Sequence, residues 1–390
     1  MPDGVLIVGA GPAGSIAALV LARAGVQVHI VDRASFPRDK LCGDSVNPGA
    51  LALLRRHGLA DAVEANGVPI RGMLVTGPGG AAVDGRYADG VVGRSLRRRD
   101  LDRLLLDAAI RAGAHFEPDL RVSGPALSGV NGARTVHGVL VRTGDGTTSE
   151  RRSRLLIAAD GRRSCIAFGL GLANHPARPR RWALGAYFEG TRGLDERGEM
   201  HIRKGRYIGV APVPGGLSNV CVVVPDAAAR SLMHAPAVAL EAALVADEQL
   251  RDRFETARRV TDVQALGPLA VDVFSAGVPG LLLAGDAAGF IDPMTGDGLR
   301  LALRGGELAA EAALGRLEER IAEPHVWLQA RRQAEFGGKL RVNRLLRMLV
   351  AHPLALGAAS LGACALPSLI ERLVEYAGDV NVEAATDPGT

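Results

Sequence analysis

The stretch Val5–Asp32, VLIVGAGPAGSIAALVLARAGVQVHIVD, decides the fold. Val5–Val8 is a short apolar run that ends at Gly9, Pro12–Ala24 has helical composition with small residues on one side, and Val26–Val31 is a second apolar run. The order is strand, tight turn, helix, strand. Gly9-Ala10-Gly11-Pro12-Ala13-Gly14 sets a G-x-G-x-x-G between the first strand and the helix, and Asp32 closes the next strand about 20 residues on. Glycines at these positions allow the tight turn and let the backbone approach a pyrophosphate, whose charge the helix N-terminus favours; the acid accepts from ribose hydroxyls. A bare glycine motif also arises as a chance turn. Here strand, helix and acid all stand where the mechanism needs them, so Gly9, Gly11, Ala13, Gly14 and Asp32 are predicted to bind a dinucleotide in the opening βαβ unit of a doubly wound sheet.

The chain has 390 residues, enough for two or so domains, and its 47% hydrophobic and 23% charged residues suit a soluble globular protein. Its net charge of +4 hides a skew, since of 46 basic residues only Lys40, Lys204 and Lys339 are lysines. The arginine clusters, Arg97-Arg98-Arg99 and Arg178 to Arg181, are short and carry few aromatics, so no nucleic-acid partner is expected. Cys42, Cys165, Cys221 and Cys364 match no metal spacing, and a reduced, cytoplasmic protein without a metal site is the simplest reading. Residues 1–8 open directly into a strand with no secretory signal.

Farther along, Asp100–Ala112 has apolar residues on one helical face, and Arg154–Ala159 and Gly280–Ala284 are buried-strand candidates that each end just before an acid. Between about 181 and 265 the texture changes to alternating segments with many turn signals, which predicts a mostly antiparallel sheet inserted into the first domain. The expected division is a cofactor domain in three pieces, 1–70, 95–175 and 266–340, with substrate-domain strands at 71–94 and 176–265 and C-terminal helices over 341–390. Within that tail Pro353–Ile370 is free of charge over 18 residues yet broken by Gly357, Gly362 and Pro367, favouring a pocket-covering helix pair over a membrane-surface element or a span.

Two later strand ends indicate which dinucleotide. Leu156–Gly161 reads LIAADG, and Leu281–Gly289 reads LLLAGDAAG before Asp292–Gly298, where a glycine-rich turn opens a helix. That helix start offers free N–H groups and a positive dipole end, the stabilisation a reduced flavin needs at its N1/C2=O side. With these motifs the chain resembles the FAD-dependent monooxygenase superfamily of the para-hydroxybenzoate hydroxylase fold over about residues 1–340. The resemblance implies a Rossmann-type α/β FAD-binding domain with FAD pyrophosphate on the first motif and adenosine ribose on Asp32. It also implies Arg33 flanking the adenine end, Arg98 of an R-x-x-x-D pattern approaching the pyrophosphate, Asp160 in a second motif, and Gly285 and Asp286 at the ribityl chain. Pro293, Gly296 and Gly298 complete the cofactor set. Ala167 stands where the second motif usually has an arginine, and no second G-x-G-x-x-G is present, so NAD(P)H is expected to visit transiently or a partner to supply electrons.

The segments FPRDKLCGD and GFIDPMTGDG are most similar to the geranylgeranyl reductase branch, in which the cysteine turn, here Cys42, lies near the flavin. Cys42 also reads as a small residue packed in a turn. The aromatic channel segment of that branch is degraded here to Tyr207-Ile208-Gly209-Val210-Ala211-Pro212, and the halogenase signature is absent. The resemblance therefore favours hydroxylation of a hydrophobic aromatic or polyketide-type molecule. Saturation of C=C bonds in an isoprenoid or lipid is the alternative, and action on a partner protein, possible for some relatives of this fold, is the second. Tyr207 and Cys42 are the candidate catalytic residues, with His201 and Arg206 as further substrate-side groups; each also reads as an ordinary core or surface residue.

Overall fold

Val5–Val8 is buried at every position because it has a parallel partner on both sides: Val5 lies in register with Leu155 on one flank and Val28 on the other. In the computed structural model, which describes residues 4–129, 135–142, 146–178, 180–232, 234–351, 375, 376 and 378, this strand is central to a six-stranded sheet. The order is Gly277–Val278, Leu281–Leu283, Leu155–Ala158, Val5–Val8, Val28–Val31 and His115–Glu117, parallel except at the Gly277–Val278 edge. Alternation along the central strand feeds two cores. Val5 and Ile7 pack under helices Pro12–Arg23, Arg98–Arg111 and Gly298–Leu317, whereas Leu6 and Val8 face the antiparallel strands Arg121–Ser128 and Thr135–Arg142.

Two helices meet backbone to backbone beside the glycine loop. A Cβ on Gly306 would stand 2.3 Å from the Ala13 carbonyl oxygen, so only glycine lets helix Gly298–Leu317 come this close to helix Pro12–Arg23. Helix Pro324–Ala351 packs on the same helix and runs unbroken through residue 340, where the sequence reading set a boundary; Gly337 and Gly338 do not interrupt it.

The inserted sheet has eight strands, built from Arg181–Glu189, Gly198–Arg203, Arg206–Val213 and Leu217–Pro225 with shorter partners, and Gly72–Thr76 and Ala82–Arg86 extend it. Its one parallel contact is Gly198–Arg203 with Gly72–Thr76. One face, with Ile208, Val210, Val220 and Val222, is covered by helix Pro236–Val245 through Leu240 and Leu244. The other, with Ala183, Tyr207 and Val223, meets Leu41, Phe290 and Met294 of the first domain. Among the described residues no helix is long and apolar enough to cross a membrane, and residues 353–370 and Cys364 lie outside them.

Candidate active site

The glycine loop closes against the end of the neighbouring strand. Gly9 has φ 102°, and a Cβ there would fall 2.3 Å from the Ala159 carbonyl oxygen; at Gly14 it would fall 1.9 Å from the Gly9 oxygen. Gly11 instead has a single side-chain atom within 4 Å of where its Cβ would be, and the helix it caps receives no side-chain cap, so the first-turn amides remain available to an anion. The atom nearest a Gly11 Cβ is Nη2 of Arg38, at 3.7 Å. Arg38 lies 3.3 Å from Asp102 and its guanidinium stacks on Phe36. Asp32 accepts from the Ala10 amide at 2.8 Å and the Ala34 amide at 3.0 Å, which ties the strand-end acid to the loop itself; Arg33 beside it is exposed.

Asp160 and Asp286 end the two adjacent strands. Burial raises the Asp160 pKa, its Oδ2 accepts from the Cys165 thiol, and its Oδ1 is buried without a partner. Gly285 brings the Asp286 turn onto the first motif, since a Cβ there would lie 2.8 Å from that of Ala13. Around Asp286 stand the positive charges of Lys40 and Arg162, whose pKa values burial lowers, Arg162 to about 10. Pro293 is exposed, Gly296 has φ 67°, and neither Gly296 nor Gly298 has an atom within 4 Å of where its Cβ would be. Asp297 does not cap the helix that follows; it accepts from Thr295 at 2.8 Å and from Asn343, leaving the helix N–H groups free. A cradle without side chains, an orphaned carboxylate oxygen and two open glycines at a helix start fit FAD.

Arg98 is held within its own helix and against the Lys40–Asp44 turn. It is 5% exposed and forms a bidentate pair with fully buried Asp102, at 2.9 and 3.0 Å. Burial opposes its charge, but Asp102 and a hydrogen bond with Cys42 more than offset that and raise its pKa.

The turn Lys40–Asp44 meets the inserted sheet at a cavity of about 530 Å3 lined by Lys40, Leu41, Cys42, Gly185, Tyr187 and Asn219, with Arg259, Thr261 and Gln264 at its far side. Cross-strand register sets Gly185 opposite Cys221 and Cys221 opposite Gly209, a row of small residues across the sheet of which Gly185 reaches the cavity. The flanking row is Tyr187, Asn219 and Ala211. Leu41 rests over Gly185, and the Cys42 carbonyl accepts from Asn219 at 2.7 Å. Asp44 is completely buried at φ 55° and accepts from Tyr187 at 2.6 Å, from Asn219, and from the Arg98 amide at 3.2 Å. Burial nevertheless pushes it up to about 6.

Of the substrate-side candidates, the fold brings Cys42 to this cavity but not Tyr207 or His201. Tyr207 is 3% exposed and donates to Asp292, which also faces Arg181 at 3.4 Å; Arg181 in turn donates to the Arg347 carbonyl. Burial and the Asp292 charge push the Tyr207 hydroxyl pKa well up. His201 is 1% exposed, with one ring nitrogen on Thr76 at 2.9 Å and the other on Glu199 at 2.8 Å. Arg206 is half-buried at the start of its strand. Sequence reasoning passed over Arg38, Asp44, Tyr187, Asn219 and Cys221. Strand parity could have grouped the last three, but only with the cross-strand register known.

The FAD binding domain family model matches residues 4–310. Digeranylgeranylglycerophospholipid reductase of Methanosarcina mazei is 30% identical, covering 79% of this chain and 74% of that protein. Menaquinone reductase of Mycolicibacterium smegmatis is 31% identical over 79% of this chain and 75% of its own. Among solved structures, the flavin-dependent brominase Bmp2 superposes with a TM-score of 0.81 at 22% identity, covering 96% of this chain and 94% of that one, a likeness of fold. The glycine cradle, the strand-end acids and these matches together make the chain a member of the FAD binding domain family and an FAD-dependent oxidoreductase.

Proposed function

We propose that the protein is an FAD-dependent reductase that saturates a carbon–carbon double bond in an isoprenoid chain of a lipid. The observation that carries this reading is the cavity beside Lys40–Asp44. Its lining includes the small residues Gly185 and Ala186 of the sheet, Leu41 and Cys42 of the turn, and a polar side with Arg259, Thr261 and Gln264. An apolar chain would lie against Leu41, Gly185 and Ala186 with its polar head towards Arg259, Thr261 and Gln264. Bound FAD, reduced by an external two-electron donor such as NAD(P)H, supplies hydride. The protein's part is to hold the chain flat against the cofactor side, exclude water and provide the second hydrogen as a proton.

Hydroxylation, favoured on sequence because Gly209 and Ala211 replace large aromatics, needs a pocket for a ring. In the fold Gly209 stands opposite Cys221 and Ala211 opposite Asn219, and neither lines the cavity; the reductases that match over four-fifths of the chain support the reductase reading. The deciding experiment follows NAD(P)H oxidation with prenylated lipids and weighs the product. A gain of 2 mass units without oxygen consumption supports reduction; a gain of 16 with oxygen consumption overturns it.

A further inference from the structure

Asp44 is a carboxyl group with no route to solvent of its own, yet one hydrogen bond away from a cavity-lining hydroxyl. Its Oδ2 lies 2.6 Å from the Tyr187 hydroxyl, and Tyr187 lines the cavity whereas Asp44 is completely buried. Its backbone sits at φ 55°, in the left-handed region that side chains other than Gly, Asn and Asp seldom adopt. That conformation holds the carboxyl between strand Arg181–Glu189, strand Leu217–Pro225 and the start of helix Arg98–Arg111. The charged and titratable groups that face it are Tyr187 and Cys221 from the two strands, Arg98 from the helix and Cys42 from its own turn; Asn219 adds a neutral donor.

We propose, on the reductase reading above, that Tyr187 is the general acid that protonates the substrate carbon and that Asp44 reloads it. As hydride adds to one carbon of the double bond, the Tyr187 O–H bond breaks and its proton forms the new C–H bond at the other carbon. The phenolic oxygen takes a proton from the Asp44 carboxyl, and after product leaves Asp44 recovers one from solvent by way of the cavity-lining Tyr187 hydroxyl. Two electrons come from the reduced flavin and none from the protein. Burial keeps Tyr187 from ionising on its own, and it raises Asp44 to about 6, so a reloading proton is at hand near neutral pH. Asp44 never touches substrate; it works through the tyrosine.

The test uses the flavin-loaded enzyme, reduced anaerobically and mixed with a prenylated lipid in stopped flow, with flavin reoxidation and solvent-deuterium incorporation as readouts. Tyr187→Phe keeps the ring and leaves Asp44 bonded to Asn219 and Arg98, so it folds; reoxidation by lipid is expected to slow about 100-fold, with flavin reduction by the donor unchanged. Asp44→Asn suits the same backbone region, and the wild-type fall in rate above about pH 6 should flatten in it. Full-rate reoxidation in Tyr187→Phe, or a wild-type pH profile in Asp44→Asn, overturns the relay while leaving the reductase reading intact. Wild-type enzyme that reduces no prenylated lipid overturns both.

Discussion

Arg98 and Asp102 form a bidentate pair one helical turn apart, and the Asp102 carboxylate has no exposure at all. Arg38 shares that carboxylate at 3.3 Å while its own guanidinium reaches over Gly11. One buried acid thus holds two arginines, the first packed against Cys42 and the second at the cofactor loop. Asp102→Asn should destabilise the protein by about 3–5 kcal/mol, because a buried guanidinium loses its counter-charge. FAD retention should fall with it as Arg38 is released. A denaturant titration and the flavin absorbance of the purified variant check both.

Gly298 offers the reverse dissociation. Nothing lies within 4 Å of its missing Cβ and its φ is ordinary, so Gly298→Ala should leave the apoprotein within about 1 kcal/mol of wild type. The added methyl enters the space assigned to the cofactor, and FAD should bind about tenfold more weakly, roughly 1.4 kcal/mol. Fluorescence titration of the apoprotein with FAD decides this; unchanged affinity would move the flavin away from the helix start.

Gly209→Phe tests the row of small residues that runs from the cavity at Gly185 through Cys221. The nearest atoms to the missing Cβ of Gly209 are backbone oxygens at 3.8 and 3.9 Å, so a Cβ there is accommodated without displacing backbone. Bound flavin should stay, and KM for a prenylated lipid should rise on the order of tenfold. Steady-state kinetics with a short and a long chain would show the larger loss for the longer one.

His201 has both ring nitrogens hydrogen-bonded in the core. His201→Ala should lower stability by about 1–3 kcal/mol and leave single-turnover rates within about twofold of wild type. A melt paired with stopped-flow kinetics measures the two.

Asp44 should also mark itself in the pH dependence of stability. Its pKa is raised in the fold from 3.8 to about 6, so the folded state binds the proton more tightly and stability falls as pH climbs between those values. The loss amounts to roughly 3 kcal/mol at about 1.4 kcal/mol per unit. Asp44→Asn removes that component, so the two proteins' stability curves from pH 4 to 7 should diverge. Parallel curves would show that the carboxyl is not held against ionisation.

The cofactor half was legible because its signals are local: Gly9, Gly11, Gly14 and Asp32 fall within one βαβ unit, and each acts through a backbone requirement that only certain residues meet. The cavity side was not. Asp44 meets Tyr187 across 143 positions and Asn219 across 175, and which strand positions face each other depends on a register that no short segment encodes. The R-x-x-x-D pattern at Arg98 shows a subtler gap. The resemblance placed Arg98 towards the pyrophosphate; a helix turns residues four apart onto each other, so Arg98 pairs with Asp102 of its own motif, while Arg38 is the arginine that stands at Gly11.

The contact of Tyr207 with Asp292 gives the sheet a mechanical role. Asp292 opens the turn to Gly298 and also faces Arg181, which grips the Arg347 carbonyl of the long C-terminal helix. Strand, cofactor-side turn and helix are therefore pinned at a single carboxylate. A displacement of Tyr207 in the sheet therefore has a direct path, through that carboxylate and Arg181, to the turn before helix Gly298–Leu317 and to helix Pro324–Ala351.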